Sequence, residues 1–423
     1  MSTSVSTSRD PGRPIPILFL GDSPSLRTGL ARIGRDLATQ LARLPQYRVA
    51  FLGRGNGAHI GGGIADARLP FKQYTYQPTP DNQWGARELP DVWHNWAQGE
   101  RGVVFTVWDP SRLTWFGAPR LGTDGDGQYS ELQRVLTSGQ FAKWGYFAID
   151  AEGPMTNGGL VPMLADTLRG YDRLIAYTEF GKRVIEAWIA DDGRRVDCLP
   201  HGFNGSVFVP RDRWEAGARF GLDLTHSTMI GCVMANQPRK DWGVWAESMR
   251  LVIDRLRAMD DRRATMLWAH TDSVDRYWDL RMLVDAFGLA KHMILTTDTP
   301  SDTEMSWRYS ACDVTVLPSL GEGWGYPLVE SAACGVPTVH VNYAGGAELA
   351  TNRVPIEHYR YDGRWVMARP VIDSAKMARQ VVNTLDSKPQ SVAQYDWRTL
   401  WPTVWEPWFV TAADEFNANG GAR

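Results

Sequence analysis

Cysteine is scarce in this chain of 423 residues. Cys198, Cys232, Cys312 and Cys334 are widely spaced and form no C-x-x-C pair. That argues against a zinc knuckle or a disulfide framework and for a reduced compartment. No apolar run approaches the roughly eighteen residues of a membrane-spanning helix. The opening residues, MSTSVSTSRDPGRP, are polar and lack the apolar core of a signal peptide, so residues 1–14 are expected to be a disordered tail and the chain to be cytoplasmic. Charge of one sign is also lacking. A net charge of −3 gives no global pull toward nucleic acid or an anionic membrane, while leaving room for a local basic groove. G-x-x-x-x-G-K-[ST], H-E-x-x-H and G-x-S-x-G do not occur, which removes the P-loop, zincin and nucleophile-elbow chemistries. The D-x-D in TDGDG (123–127) follows no apolar strand and reads as loop, so no metal site is expected. What is present is the composition of an ordinary globular protein, 43% hydrophobic and 22% charged, in a chain too long for one core.

Short apolar runs alternate with longer amphipathic ones, the pattern of βα units and parallel sheets. In the first half the strand candidates are IPILFL (15–20), RVAFL (48–52), VVFTVW (103–108), WGYFAI (144–149), RLIAYT (173–178) and VDCL (196–199), with helices over 28–44 and 179–190. The second half restarts with TMIGCVMA (228–235), ATMLWAH (264–270), MILTT (293–297), DVTVLP (313–318) and PTVHV (337–341), with helices over 242–259 and 327–335. The pattern breaks across 202–226. The expected organisation is an N-terminal Rossmann-like domain over 15–205, a C-terminal one over 206–385, and an aromatic helical segment over 386–423 packing across both. Residues 53–100, with Trp84, Trp93 and Trp96, are either an acceptor-binding excursion or a surface insertion whose tryptophans cover its own small core.

The stretch PSLGEGWGYPLVESAACGVPTV (318–339) puts Glu322 on a glycine-broken loop and Glu330 about one turn into the helix that follows. In open α/β sheets ligands bind beyond the carboxyl ends of strands, which is where this loop falls. Glycines admit close backbone approach, and helix-start amides can hold phosphate oxygens. Carboxylates there suit hydroxyls instead, so two sets of hydroxyls flanking a diphosphate would describe a nucleotide sugar. The plainer alternative is acidic charge near a helix start.

EGWGYPLVE resembles the Glu–seven residues–Glu motif of retaining glycosyltransferases of family four, which have the GT-B fold. ILFLGDSPSLRTGLARIGRDLATQL, IAYTEFGKRVIE, LPHGFNGSVFVP, MANQPRKDW and NYAGGAEL are similar to further segments of that family in the same order, over roughly residues 15–385. The GDSPS–TGLAR opening also resembles phage-encoded members, some of which are thought to modify DNA bases. The resemblance implies an α/β protein with two Rossmann-like domains whose parallel sheets face across a cleft. It implies a metal-independent, retaining hexosyltransferase-like enzyme of the bacterial cytosol, or of a phage-infected cell, with no cofactor beyond a UDP- or GDP-linked sugar.

By the same resemblance Glu330 would bind the donor ribose, and Glu322 a hydroxyl of the transferred sugar, beside the backbone amides of Gly323, Trp324 and Gly325. Lys240 would neutralise the leaving diphosphate. The family's arginine, five residues earlier, is replaced by Ala235, and Arg239 is the candidate substitute. Thr28 and Gly29 stand where a diphosphate or sugar could approach the first helix, or are simply an N-cap and a turn glycine. For acid–base or positioning work Asp150 is the leading candidate, ahead of Asp109 and Glu152. Asp before such turns is also ordinary loop chemistry. The acceptor stays open: a glycan, a small molecule, or a hydroxymethylated pyrimidine in phage DNA. That last acceptor would need Arg27, Arg32, Arg35, Arg54 and Arg68 gathered into a groove. A non-catalytic nucleotide-sugar-binding protein of the same fold is the remaining alternative.

Overall fold

The computed structural model describes residues 13–55, 66–118, 127–189, 193–259 and 263–418. The tail 1–12, part of GRGNGAHIGGG and residues 123–126 of TDGDG lie outside the described residues. The chain divides into two compact units. The first comprises Met1–Ala148, Met155–Pro200 and Trp401–Arg423, the second Ile149–Pro154 and His201–Leu400.

The first unit is built on a seven-stranded sheet of β1 (Ile15–Asp22), β2 (Tyr47–Arg54), β3 (Lys72–Tyr76), β4 (Gly102–Trp108), β5 (Phe141–Phe147), β6 (Arg173–Ala176) and β7 (Val196–Cys198). The order is β3-β2-β1-β4-β5-β6-β7 and every pairing is parallel. All eight residues of β1 are buried, as expected of a central parallel strand covered on both faces. The helix Gly29–Leu41 buries Ala31, Ile33, Gly34, Leu37, Ala38 and Leu41, a single stripe at helical spacing.

Two readings shift. The strand expected over 144–149 lies at Phe141–Phe147, because Phe141 pairs with Gly102 and the ladder with β4 closes at Phe147. Ile149 and Asp150 therefore leave the sheet. The excursion after β2 supplies β3 and the helix Glu88–Ala97, whose Trp93 packs edge-on against Phe141, with ring centroids 4.9 Å apart. Trp93 and Trp96 are thus core residues of this unit.

The C-terminal aromatics belong here from Trp401 onward. A π turn over Trp401–Trp405 leads into the helix Glu406–Ala418. Pro402 can donate no backbone hydrogen bond, and the widened turn accommodates it. The Trp405 indole donates to the Pro200 carbonyl at 2.8 Å, and the Tyr47 hydroxyl to the Phe409 carbonyl at 2.7 Å.

The second unit carries a six-stranded parallel sheet of β8 (Ser227–Val233), β9 (Ala264–His270), β10 (Met293–Thr296), β11 (Val314–Leu317), β12 (Thr338–Val341) and β13 (Asn352–Val354), in the order β10-β9-β8-β11-β12-β13. A separate antiparallel hairpin follows, β14 (His358–Asp362) with β15 (Met367–Val371). Strand order reverses between β1 and β4 in the first sheet and between β8 and β11 in the second. These are the switch points beyond which open α/β sheets bind ligands.

Candidate functional site

In the second unit, the segments leaving β8 and β11 converge. Beyond β8, Pro238–Lys240 forms a single 3-10 turn, and Asp241, in the left-handed region at φ 48, caps the helix Trp242–Ala258 by accepting from the Val244 amide. Beyond β11 runs the loop to Gly325, which precedes the helix Tyr326–Ala333. The two segments are stitched by the Leu320 amide, which donates to the Arg239 carbonyl at 2.8 Å.

Glu322 and Lys240 meet there, only 6% and 8% exposed. The Lys240 Nζ donates to Glu322 Oε1, and Arg239 Nη1 lies 3.2 Å from Glu322 Oε2. Arg239 also donates to the Gly321 carbonyl at 2.8 Å, and its Nε lies 3.4 Å from Asp150 Oδ2. Arg369, from β15, closes the chain with 3.2 Å to Asp150 Oδ1 and 3.1 Å to the Asp150 carbonyl. Gly321 is fixed by this crowding. A Cβ on it would lie 1.9 Å from the Asp150 carbonyl oxygen, and its φ of 156 is uncommon for other residues.

Lys240, Arg239 and Arg369 thus meet the carboxylates of Glu322, Asp150 and Asp362. Burial alone would raise the Glu322 carboxyl, but the charges of Lys240 and Arg239 outweigh it and hold the group well below the usual carboxylate range. The cost falls on Lys240, whose amine is pushed down by burial and then by the neighbouring Arg239. An anion entering beside Lys240 and Arg239 would compete with Glu322 for both cations.

Glu330 is equally buried and accepts from the Tyr309 hydroxyl at 3.1 Å. Gly325, at φ 105, begins its helix. The Trp324 ring turns into the core against His201, at 4.7 Å, and Tyr395, at 5.0 Å. Trp324 can therefore offer a ligand its backbone rather than its face, and His201 is packed among aromatics rather than placed as a base.

Further along, at the ends of β9 and β10, Arg308 reaches Asp298 with both terminal nitrogens, at 3.0 and 2.5 Å, and the His270 Nδ1 at 3.1 Å. A guanidinium only donates, so His270 Nδ1 is the acceptor and the neutral ring carries its proton on Nε2. Burial, then Arg308, pushes the His270 pKa down.

In the first unit Thr28 acts as the N-cap. It accepts from the Ala31 amide at 3.1 Å and donates to Asp22 Oδ2 at 3.0 Å. Asp22, which the sequence did not single out, also accepts from the Trp108 indole at 3.0 Å. Gly29 begins the helix behind it. Asp109 caps a turn through the Ser111 amide and pairs with Arg112 at 2.8 Å, and Glu152 contributes main-chain hydrogen bonds to Tyr343 and Ala368. Of the candidate arginines, Arg32 and Arg35 both reach Asp36, Arg68 pairs with Asp66, and Arg54 lies over Trp84.

Of the expected residues, the fold brings Lys240, Arg239, Glu322 and Asp150 into one cluster. Arg369 was missed, since nothing in β15 resembles a motif. Among the described residues no group of three or more His, Cys, Asp or Glu side chains could hold a metal ion, and no helix is long and apolar enough to cross a membrane.

Comparison with known proteins adds three findings. The chain is 25% identical over 174 residues to a D-inositol 3-phosphate glycosyltransferase of Segniliparus rotundus, covering 41% of this chain and 38% of that protein. It is 28% identical over 190 residues to one of Acidothermus cellulolyticus, covering 43% and 40%. The match thus spans about two fifths of the curated relatives' length. Among solved structures, a sucrose-phosphate synthase from Thermosynechococcus elongatus superposes with a TM-score of 0.67 at 15% identity, covering 95% of this chain and 100% of that one. Anabaena HepE in complex with UDP-glucose gives 0.62 at 14%, covering 94% and 100%. The fold is therefore GT-B, two Rossmann-like parallel-sheet domains, and residues 276–384, which hold Glu322 and Glu330, match the family model described as "Glycosyl transferases group 1".

Proposed function

We propose that this chain transfers a sugar from a nucleoside-diphosphate sugar to an acceptor hydroxyl with retention of anomeric configuration. The observation that carries the reading is the buried Lys240–Glu322 pair with Arg239 beside it, at the switch point of the second sheet. An incoming diphosphate competes for Lys240 and Arg239, which satisfies their charge and releases Glu322 to accept from a hydroxyl of the transferred sugar. Glu330, already oriented by Tyr309, accepts from the ribose hydroxyls. The donor in a complex of one structural neighbour is UDP-glucose, which favours a uridine nucleotide here.

In the reaction, the bond from the anomeric carbon to the phosphate oxygen breaks while the acceptor oxygen bonds to the same face of that carbon. The acceptor proton passes to the departing phosphate. Negative charge grows on that phosphate, and Lys240 and Arg239 are prearranged to meet it in a site with little water. Asp150, gripped by Arg239 and Arg369, fixes the direction of the Arg239 guanidinium and acts as a positioning residue.

The test is donor turnover, read as release of nucleoside diphosphate from UDP-glucose with and without added acceptors. Lys240→Met and Glu322→Gln should each lower the rate by about 100- to 1,000-fold, the usual loss on removing one preorganised charge partner. Wild-type rates in either variant would remove this cluster from the chemistry.

A further inference from the structure

β12 is an inner strand of a parallel sheet, and it carries a histidine. All four of its residues are buried, and His340 has no exposed surface at all. Burying an imidazole costs stability unless its polar atoms find partners. The His340 Nδ1 meets the Leu317 carbonyl at 2.6 Å. A carbonyl only accepts, so the neutral ring carries its proton on Nδ1. Burial above all pushes the His340 pKa down and keeps the ring neutral.

The partner of that contact stands at a telling place. Leu317, which pairs with His340 in the ladder, is the last residue of β11, and the loop that carries Glu322 departs from its carbonyl. The other edge of the ring lies against Gly346, in the NYAGGAEL segment: a Cβ there would be 2.4 Å from His340 Nε2. The turn that brings Gly346 in passes through Ala344 in the left-handed region, at φ 55, so the close approach is kept at a cost to the backbone. Tyr343, in the same turn, accepts from the Glu152 amide at 2.8 Å and donates to the Ala368 carbonyl at 2.6 Å, which joins the turn to the segment holding Asp150. Glu322 and Lys240 both act electrostatically on the ring, with opposite signs. His340 therefore lies beside that pair without being part of it.

From this we infer that His340 is a positioning residue for sugar transfer: its Nδ1–H pins the root of the Glu322 loop, and its Nε2 edge seats the turn at Gly346. The inference rests on the reading of the Lys240–Glu322 pair as the donor site. Glu322 stands on a loop, and loops hold a side chain less precisely than strands do. A hydrogen bond from a side chain rooted in β12 to the carbonyl where the loop begins lends it the rigidity of the sheet. The groups assigned to the nucleotide, Lys240 and Glu330, stand on the turn beyond β8 and on the helix Tyr326–Ala333. The His340 contact should therefore matter for the sugar held by Glu322 and not for the nucleoside diphosphate.

The test is steady-state release of UDP from UDP-glucose by the full chain, with and without added acceptors, in wild type, His340→Leu, His340→Gln and His340→Asn. An asparagine places its amide nitrogen where Nδ1 stands and can remake the bond to Leu317. A glutamine places its own nearer Nε2, and a leucine has none. His340→Leu and His340→Gln should lose about tenfold or more in kcat with KM little changed, as a misplacement of about an ångström would cause. His340→Asn should recover most of that loss. The thermal shift given by UDP should be the same in all four, which reports a folded chain with its nucleotide contacts intact. Should His340→Leu fail to fold, the contrast between asparagine and glutamine decides alone. Equal kcat in all four, an asparagine no better than the glutamine, or a loss that falls on KM and on the UDP shift would overturn the positioning role while leaving the donor reading standing. A wild-type chain that neither gains stability from UDP nor releases it from UDP-glucose would strike the donor reading, and this inference with it.

Discussion

At the scale of single residues, the account rests on charge held where water is scarce. Gly321 is the sharpest steric case. Gly321→Ala drives a methyl group into the Asp150 carbonyl and should lower stability by about 2 kcal/mol or more, checked by denaturant unfolding; an unchanged midpoint would mean that the loop has room to spare. Lys143 makes a different prediction. It sits in β5 with its ammonium on the Phe116 carbonyl at 2.9 Å, and burial pushes its pKa down to about 8. A lysine depressed in the folded state costs stability in full below about pH 8, and that cost is relieved as pH rises toward the unfolded value of about 10.4. Lys143→Met should therefore raise stability by about 1–3 kcal/mol at pH 7, and the gap to wild type should close between pH 8 and 10. A gap independent of pH would assign the gain to packing alone.

Elements differ in how much of them could be read beforehand. The central parallel strands were legible because each is a continuous apolar run, and β1, β4 and β11 lie within a residue or two of where those runs fall. The Glu322 loop and its helix were legible because glycine, proline and glutamate at fixed spacing carry local information. β14 was not, since HYRYD has no apolar run to declare it. Arg369 was illegible for a related reason: its importance comes from a contact with Asp150, 219 positions away, and no local pattern encodes such a meeting. The hairpin also carries strain. Val366 stands in its turn at φ 51, a region that β-branched residues avoid. Val366→Gly should stabilise the chain by up to about 1 kcal/mol, seen as a raised Tm, if the turn keeps its shape. A lowered Tm would show that the valine side chain contributes more than its backbone costs.

For the whole molecule, the division of the chain does not follow sequence order. Residues 149–154 join the second unit and the segment from Trp401 joins the first, where Trp405 and Phe409 are fully buried. Sequence alternation located two α/β halves but could not reveal this exchange, because apolar spacing reports that a face is buried and not what buries it. One consequence is that Asp150 reaches Arg239 and Arg369 within the second unit, though it stands among first-half strands in the sequence.

The central claim is that the 318–339 stretch holds a nucleotide sugar. Thermal unfolding with a panel of nucleoside diphosphates and nucleotide sugars, in EDTA, on wild type and Glu330→Ala tests it most directly. A ligand at about one hundred times its dissociation constant adds roughly 2.7 kcal/mol, a shift of several degrees. The account predicts such a shift from one nucleotide, the uridine one by preference, and its loss in Glu330→Ala. A wild-type chain that no nucleotide stabilises, or a shift that survives Glu330→Ala undiminished, would contradict it.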